Sequence, residues 1–407
     1  MCRKKAEELA KNTPNGDVAA AYGQGAECHI KAAQALAQGK TQEATYWNHA
    51  GLIYNNQAEE LAKNTPNNAA AAVYKKGAQY YAQAANAEAQ GKREEAMQWN
   101  NAGVMCYKQA KELVKNPPNG DAVAAYGQGA EYYEQAAKAW ARAPKTLEAR
   151  YWDIATWMCT NQAEELAKDT PNKAAAAAYG QAAKYYAQAA NAEAQGKREE
   201  AKFLNNAGWM CRKKAEELAK NPPNEKVAAA YGKAAQYWNS AGVMFRKKAE
   251  ELAKNRPNKA AAAAYRQGAQ YFVQAAEAET QGKTQVATYW HFAGDVCYNQ
   301  AHELAKNPPN KAAAAAYGQG AAECYKKAAE AQALENPQDA RYWEQAGVMF
   351  NKKADELAEA EPNANSPINQ YDEYIRYYTE KVNNLITQLE ENKKINQSIR
   401  EHRRRGI

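Results

Sequence analysis

One phrase is written along this chain eight times, and its spacing constrains the fold more than any other property. Ala-Glu-Glu-Leu-Ala-Lys-Asn-x-Pro-Asn, with small changes, places leucines at Leu9, Leu61, Leu113, Leu166, Leu218, Leu252, Leu304 and Leu357. Successive separations are 52, 52, 53, 52, 34, 52 and 53 residues. Some copies are identical over long runs: Tyr81–Ala96 and Tyr186–Ala201 are the same string. A fixed period of this size marks an array in which each unit completes its core only against its neighbours.

Within the unit 68–119, two helical stripes are separated by one break. The first runs Ala71, Tyr74, Ala78, Tyr81, Ala85, and the second Ala96, Trp99, Ala102, Cys106, Ala110, Leu113, both in steps of three or four. That spacing gathers small and aromatic groups on one face and leaves Lys, Gln, Asn and Glu on the other. Alanine, the best helix former, agrees with the pattern. Gly91 is placed to end the first helix in a left-handed conformation. Asn116-Pro117-Pro118-Asn119 ends the second, because proline lacks a donor and restricts the residue before it. Asn119 or Asp121 is suited to cap the next helix. Each unit is then a helical hairpin with arms of about 21 residues, roughly 30 Å long.

The expected fold is all-α: an α-solenoid of stacked antiparallel hairpins, followed by a heptad-patterned C-terminal helix. The repeat array spans 1–363, with a half-unit at 1–15 and units at 16–67, 68–119, 120–172, 173–224, 225–258, 259–310 and 311–363. A capping or coiled-coil helix with a basic tail occupies 364–407. Small residues let the backbones approach, and the 27 tyrosines and 9 tryptophans supply most of the area buried between them.

Certain strings resemble a known family. Gly91-Lys92-Arg93-Glu94-Glu95-Ala96 and Trp99-x-x-Ala102-Gly103-x-x-Cys106 are similar to signatures of tetratricopeptide repeats. Glu43-Ala44-x-x-Trp47-x-x-Ala50-Gly51 resembles the extended hairpins of soluble NSF-attachment proteins. The likeness covers most of the chain and implies stacked hairpins; the 52-residue period is longer than the family's 34, and the two signatures come in reversed order.

The array has three irregular places. Unit 225–258 is 34 residues long and lacks eighteen, close to five helical turns, so a fused helix keeps its stripe in phase. One long helix from about Val227 to Lys254 is expected, with a short hairpin turning at Asn239-Ser240 as the rival. Met1–Lys11 is identical to Met210–Lys220, in the middle of a second helix, so Met1 reads as an internal methionine of a longer chain. After Pro362, Ile368, Tyr371, Ile375, Tyr378, Val382, Leu385 and Leu389 keep a 3-4 spacing. An end cap is favoured there over self-association through 368–399.

Sites for chemistry are hard to find. Cys2, Cys106, Cys159, Cys211 and Cys297 share a repeat position with Tyr54, Phe245 and Phe350, while Cys28 and Cys324 share one with Tyr80 and Tyr132. A position filled by Cys, Tyr and Phe alike is an apolar packing site. Cysteines one repeat apart should lie about 20 Å apart, two helix layers, too far to bridge. Reduced thiols fit a cytoplasmic or otherwise reducing compartment. The Glu59-Glu60 pairs recur in nearly every unit and read as solvated faces. The three serines, Ser240, Ser366 and Ser398, form no nucleophile elbow, and no glycine-rich phosphate loop occurs. Neither an enzyme, a metal site nor a cofactor is expected. No apolar run suits a membrane span, and a net charge of +7 over 407 residues is too diffuse to call for nucleic acid.

If the copies hold the stack, their differences carry the information. On the second helix one position reads Leu52, Val104, Trp157, Trp209, Val243, Asp295, Val348. Three residues on it reads Asn55, Tyr107, Thr160, Arg212, Arg246, Tyr298, Asn351, and four residues before it a third variable position completes the stripe. The stripe lies more than about 100° from the alanine–cysteine face. Trp157, Trp209, Arg212, Arg246, Asp295, Tyr298 and Tyr107 are therefore the candidate contacts of a protein-interaction scaffold with an unidentified protein partner. A structural spacer without a ligand, and a weak nucleic-acid-binding repeat, are the alternatives.

Overall fold

The computed structural model describes residues 16–359 and is all-α, a helical-repeat solenoid. In chain order the helices are α1 Gly16–Ala37, α2 Thr41–Leu61, α3 Asn68–Ala89, α4 Arg93–Leu113, α5 Gly120–Arg142, α6 Leu147–Leu166, α7 Lys173–Ala194 and α8 Arg198–Leu218. Next come α9 Glu225–Ala253, α10 Lys259–Thr280, α11 Thr284–Ala305, α12 Lys311–Ala315, a π-helical segment Ala316–Ala322, α13 Glu323–Ala333 and α14 Pro337–Glu359. The half-unit 1–15, Cys2 and the segment 364–407 with its stripe at 368–399 lie outside the described residues. Two compact units divide the chain, one ending at Ala229 and the next beginning at Ala230. In the first, consecutive helices from α1 to α8 pack on one another; in the second, α10 packs on α11 and α11 on the Lys311–Glu359 hairpin.

The stacking follows from ring pairs and glycines. Tyr80 of α3 stacks on Trp99 of α4 at 5.5 Å, and Tyr271 of α10 on Trp290 of α11 at 5.4 Å, the same repeat positions in two hairpins. The glycine beside the invariant alanine of the second helix seats a ring from the first. Tyr81 lies over Gly103, Tyr186 over Gly208 and Phe272 over Gly294, where an added Cβ would meet ring atoms at 2.8–3.0 Å. The hairpin turns close as the glycines require. Gly39, Gly91, Gly196 and Gly282 have φ of 73–76°, and Lys92 N–H returns to Ala87 O at 3.0 Å, a six-residue closure of the helix end.

The repeated phrase closes the other end of each hairpin. Asn67 Oδ1 accepts the N–H of Ala70 at 3.0 Å and caps α3, while its Nδ2 donates to Leu113 O at 2.8 Å, where the returning α4 ends. Asn119, Asn172, Asn258 and Asn310 repeat both bonds. Between the two candidates for the cap of α5, Asn119 and not Asp121 supplies it.

The glutamate pairs are a correction to the sequence reading. Glu59 is exposed, but Glu60 is 5% exposed, and Glu112, Glu165, Glu251 and Glu303 are buried as well. The reason is local. Glu165 Oε1 accepts the N–H of Asn172 at 3.2 Å, and the lysine three residues on neutralises the carboxylate, as Lys254 does for Glu251 at 2.7 Å. A buried carboxylate is tolerated only with such partners.

Asn239 and Ser240 lie inside the 29-residue α9, so the short unit is a single helix without a turn there. The 53-residue unit 311–363 handles its extra residue differently. Its first arm reads Tyr317-Gly-Gln-Gly-Ala-Ala-Glu-Cys324, one alanine longer than Tyr22-Gly-Gln-Gly-Ala-Glu-Cys28 in α1. The extra alanine falls in the π-helical segment, whose wider turn absorbs one residue and leaves Cys324 buried like Cys28. In the other 53-residue unit, 120–172, the hairpin turn is rebuilt around Lys145, at φ 66°, and Thr146, which caps α6.

Candidate functional site

The variable stripe exists as an open surface on the second helices. Trp157 on α6 and Trp209 on α8 are 44% and 43% exposed, and Leu52, Asp295 and Val348 at the same repeat position are exposed too. The position sits opposite the crossing alanines, Ala155 and Ala207, which are fully buried. Trp157 and Trp209 each keep over two-fifths of their surface in solvent, where large apolar groups are usually covered.

Two of the predicted residues meet across neighbouring hairpins. The guanidinium of Arg212 on α8 lies over the ring of Trp157 on α6, 4.4 Å from its centroid. Arg212 Nε also donates to Glu216 Oε1 at 2.7 Å, which fixes its plane, and Lys213 reaches the other oxygen of Glu216 at 2.9 Å. Lys213 Nζ stands 5.6 Å from the centroid of Trp209. The Trp157, Trp209, Arg212 and Lys213 side chains thus form one patch of flat rings and cations held by Glu216. A ring face paired with a guanidinium gains about 0.5–1 kcal/mol at an exposed site, too little to explain leaving two indoles in water.

The remaining predicted residues are placed singly. Tyr107 on α4 is half-buried against Tyr74, 6.3 Å between centroids, and belongs to the edge of the core. Tyr298 on α11 packs edge-on against Tyr265 at 5.9 Å, and Asp295 lies 3.3 Å from His291 Nε2. Arg246 on α9 pairs with Glu250 at 3.8 Å.

Two features carry no clear signal in the sequence. Trp140 Nε1 donates to both oxygens of Asp153 at 3.1 and 3.2 Å, and burial pushes that carboxyl above its usual range. An open cleft of about 310 Å³ lies between the first arms α5 and α7, lined by Asp121, Ala124, Gln128, Gln162, Lys173 and Ala177. Its floor is alanine methyls, and the one feature of the sequence pointing to it is the alanine run that opens α7.

The described cysteines, Cys28, Cys106, Cys159, Cys211, Cys297 and Cys324, are buried and unpaired with one another. Burial pushes the thiols of Cys106, Cys159, Cys211, Cys297 and Cys324 up to about 12. The thiolate is the reactive form, so these five should resist alkylation of the native chain at pH 8 and again at pH 10. Iodoacetamide labelling read by peptide mass should find them unmodified until denaturant is added; labelling that climbs between those pH values would contradict the burial.

Among the described residues no three His, Cys, Asp or Glu side chains converge as a metal site. No helix among them is long and apolar enough to cross a membrane. No protein-family model matches the chain, and a search of curated proteins returns no match.

Proposed function

We propose that this chain is a non-enzymatic scaffold that binds another protein through the open face of its second helices, in a reducing compartment. The observation that carries the reading is the exposure of Trp157 and Trp209 beside a guanidinium already seated on one of them. Trp and Arg dominate binding hot spots because they bury much area at small entropic cost and combine an apolar body with directed donors. Here the cation and rings are pre-organised by Glu216, which lowers what a partner must order on docking. Tyr298 and Asp295 on α11 give the second compact unit a stripe of different chemistry, as expected where copies differ to read different parts of a ligand. Within this proposal the hairpins are extended relatives of tetratricopeptide units, supported by the ring-on-glycine crossing and the glycine turn.

The test is affinity capture with the full chain and with a Trp157→Ala/Trp209→Ala/Arg212→Glu variant of unchanged helical dichroism. A protein retained by the first and lost by at least about tenfold from the second, the effect of one hot spot worth 1.4 kcal/mol, is the expected result. Equal recovery by both chains would remove the stripe from the binding surface, and capture of nothing by either would favour a spacer.

A further inference from the structure

Hairpin 120–172 departs from its neighbours at two positions that the fold brings together. In the hairpins on either side, the first arm ends in a glutamate close to a cation: Glu88 lies 4.0 Å from Arg93, and Glu193 lies 3.7 Å from Arg198. The second arm carries a neutral asparagine four residues before the exposed position of the stripe, at Asn48, Asn100 and Asn205. In 120–172 the glutamate is replaced by Trp140 and the asparagine by Asp153. One carboxylate is lost from the first arm and another is gained on the second, without the arginine that accompanied it.

The two replacements meet. Trp140 Nε1 donates to both oxygens of the half-buried Asp153, at 3.1 and 3.2 Å, and so fixes the plane of the carboxylate. Among the described residues Asp153 forms no ion pair, whereas Glu134 on α5 has Lys138 at 2.7 Å and Glu216 on α8 has Arg212 at 2.7 Å. Burial pushes the Asp153 carboxyl above its usual range against the pull of the indole N–H. An ionised carboxylate so placed costs free energy that asparagine would not. Asp153 also stands four residues before Trp157, one turn away on the same face, so a group resting on that exposed ring comes within reach of the carboxylate.

We propose that Asp153 is the polar anchor of the interaction surface and receives an arginine or lysine that a partner protein presents beside apolar side chains set against Trp157. Charge complementarity selects that occupant. Arg212, the cation on the Trp157 ring, is already held by Glu216, whereas the charge of Asp153 is met by the indole dipole alone. A basic side chain would supply the missing counter-charge at a carboxylate whose orientation is set in advance. The proposal rests on the scaffold reading above and names the chemistry of its partner.

Two acetylated peptide amides test it: Ala-Leu-Arg-Leu-Ala, and its twin with citrulline, which keeps the shape of arginine without the charge. Binding to the full chain at pH 7 and low salt is followed by the Trp140 indole N–H resonance, identified by its loss in Trp140→Phe. The arginine peptide should bind about tenfold more tightly than its twin. Asp153→Asn, which restores the residue of the neighbouring hairpins, should abolish that preference and raise the urea midpoint, because a carboxylate kept for a partner is a burden to the fold alone. An arginine peptide bound no more tightly than its twin, a preference that survives Asp153→Asn, or a lowered midpoint in that variant each overturns the proposal, the last by making the carboxylate a folding contact. The scaffold reading fails separately, if Trp157→Ala/Trp209→Ala binds both peptides as the unaltered chain does.

Discussion

Replacing Gly268 by valine is expected to destabilise its hairpin by about 3 kcal/mol, the upper end of what forced overpacking costs. Gly268 lies where α10 meets α11 closely, with Cys297 and the Gly294 carbonyl facing it. A Cβ there would lie 3.0 Å from Cys297 Cβ and 3.1 Å from the backbone oxygen of Gly294, and would collide with the methyl end of Met244. Met244 is flexible and could swing away, but Cys297 Cβ and the Gly294 carbonyl belong to the helix itself, so the helices must part. Parting them also unseats Phe272 from Gly294, where the ring sits 3.0 Å from a would-be Cβ. Gly23 on α1 is the control, because nothing lies within 4 Å of its missing side chain. Gly23→Ala should raise stability by about 0.5–1 kcal/mol, the helix-propensity difference alone. Urea unfolding, with hydrogen exchange on peptides of α10 and α11, checks both signs; a neutral Gly268→Val would mean that the crossing is looser than described.

The second large effect belongs to the asparagine that closes each hairpin. Asn172→Ala should cost about 2–3 kcal/mol, from a lost cap and a stranded carbonyl together. Asn172 Oδ1 accepts Ala175 N–H at 3.0 Å, and Nδ2 donates to Leu218 O at 2.7 Å, so one side chain ties the start of α7 to the end of α8. Asn172→Asp keeps the cap but loses the donor and sets a carboxylate against a carbonyl, and should recover less than the full cap. Asn224 separates the two contributions. It caps α9 through Val227 N–H at 3.1 Å, but α9 runs on to Ala253 without a returning arm of its hairpin. Asn224→Ala should therefore cost about 1 kcal/mol, a cap alone. Equal losses at Asn172 and Asn224 in denaturation midpoints would show that the bond to Leu218 contributes nothing.

The fold was legible because the period, the 3-4 spacing and the breakers all point the same way. The run from Val227 to Lys254 could be read as one helix since its deletion equals whole turns, and α9 covers Glu225–Ala253. What escaped was anything set by a single hydrogen bond that the folded chain closes. Glu60 looks like any surface glutamate in the sequence; only the fold delivers Asn67 N–H to it at 3.1 Å and buries it. The extra alanine at Ala321-Ala322 is visible as a 53-residue spacing, yet spacing alone does not say whether a loop or a helix absorbs it. Of the candidate contacts, Trp157 and Arg212 could be named from variability, but their mutual stacking requires the distance between hairpins. Tyr107 shows the limit of that reasoning: it varies between copies and is nevertheless partly core.

The π-helical segment Ala316–Ala322 bears on how such a chain can change. An array written in near-identical paragraphs is prone to slipped copying, and a slip of one codon inside an arm would ordinarily rotate every later apolar residue by about 100° and ruin the seam. Here the added letter is confined to a single widened coil, and both Ala314 before it and Cys324 after it remain in the interior. A misprint of this kind is contained where it falls, and the lines on either side of it stay in register.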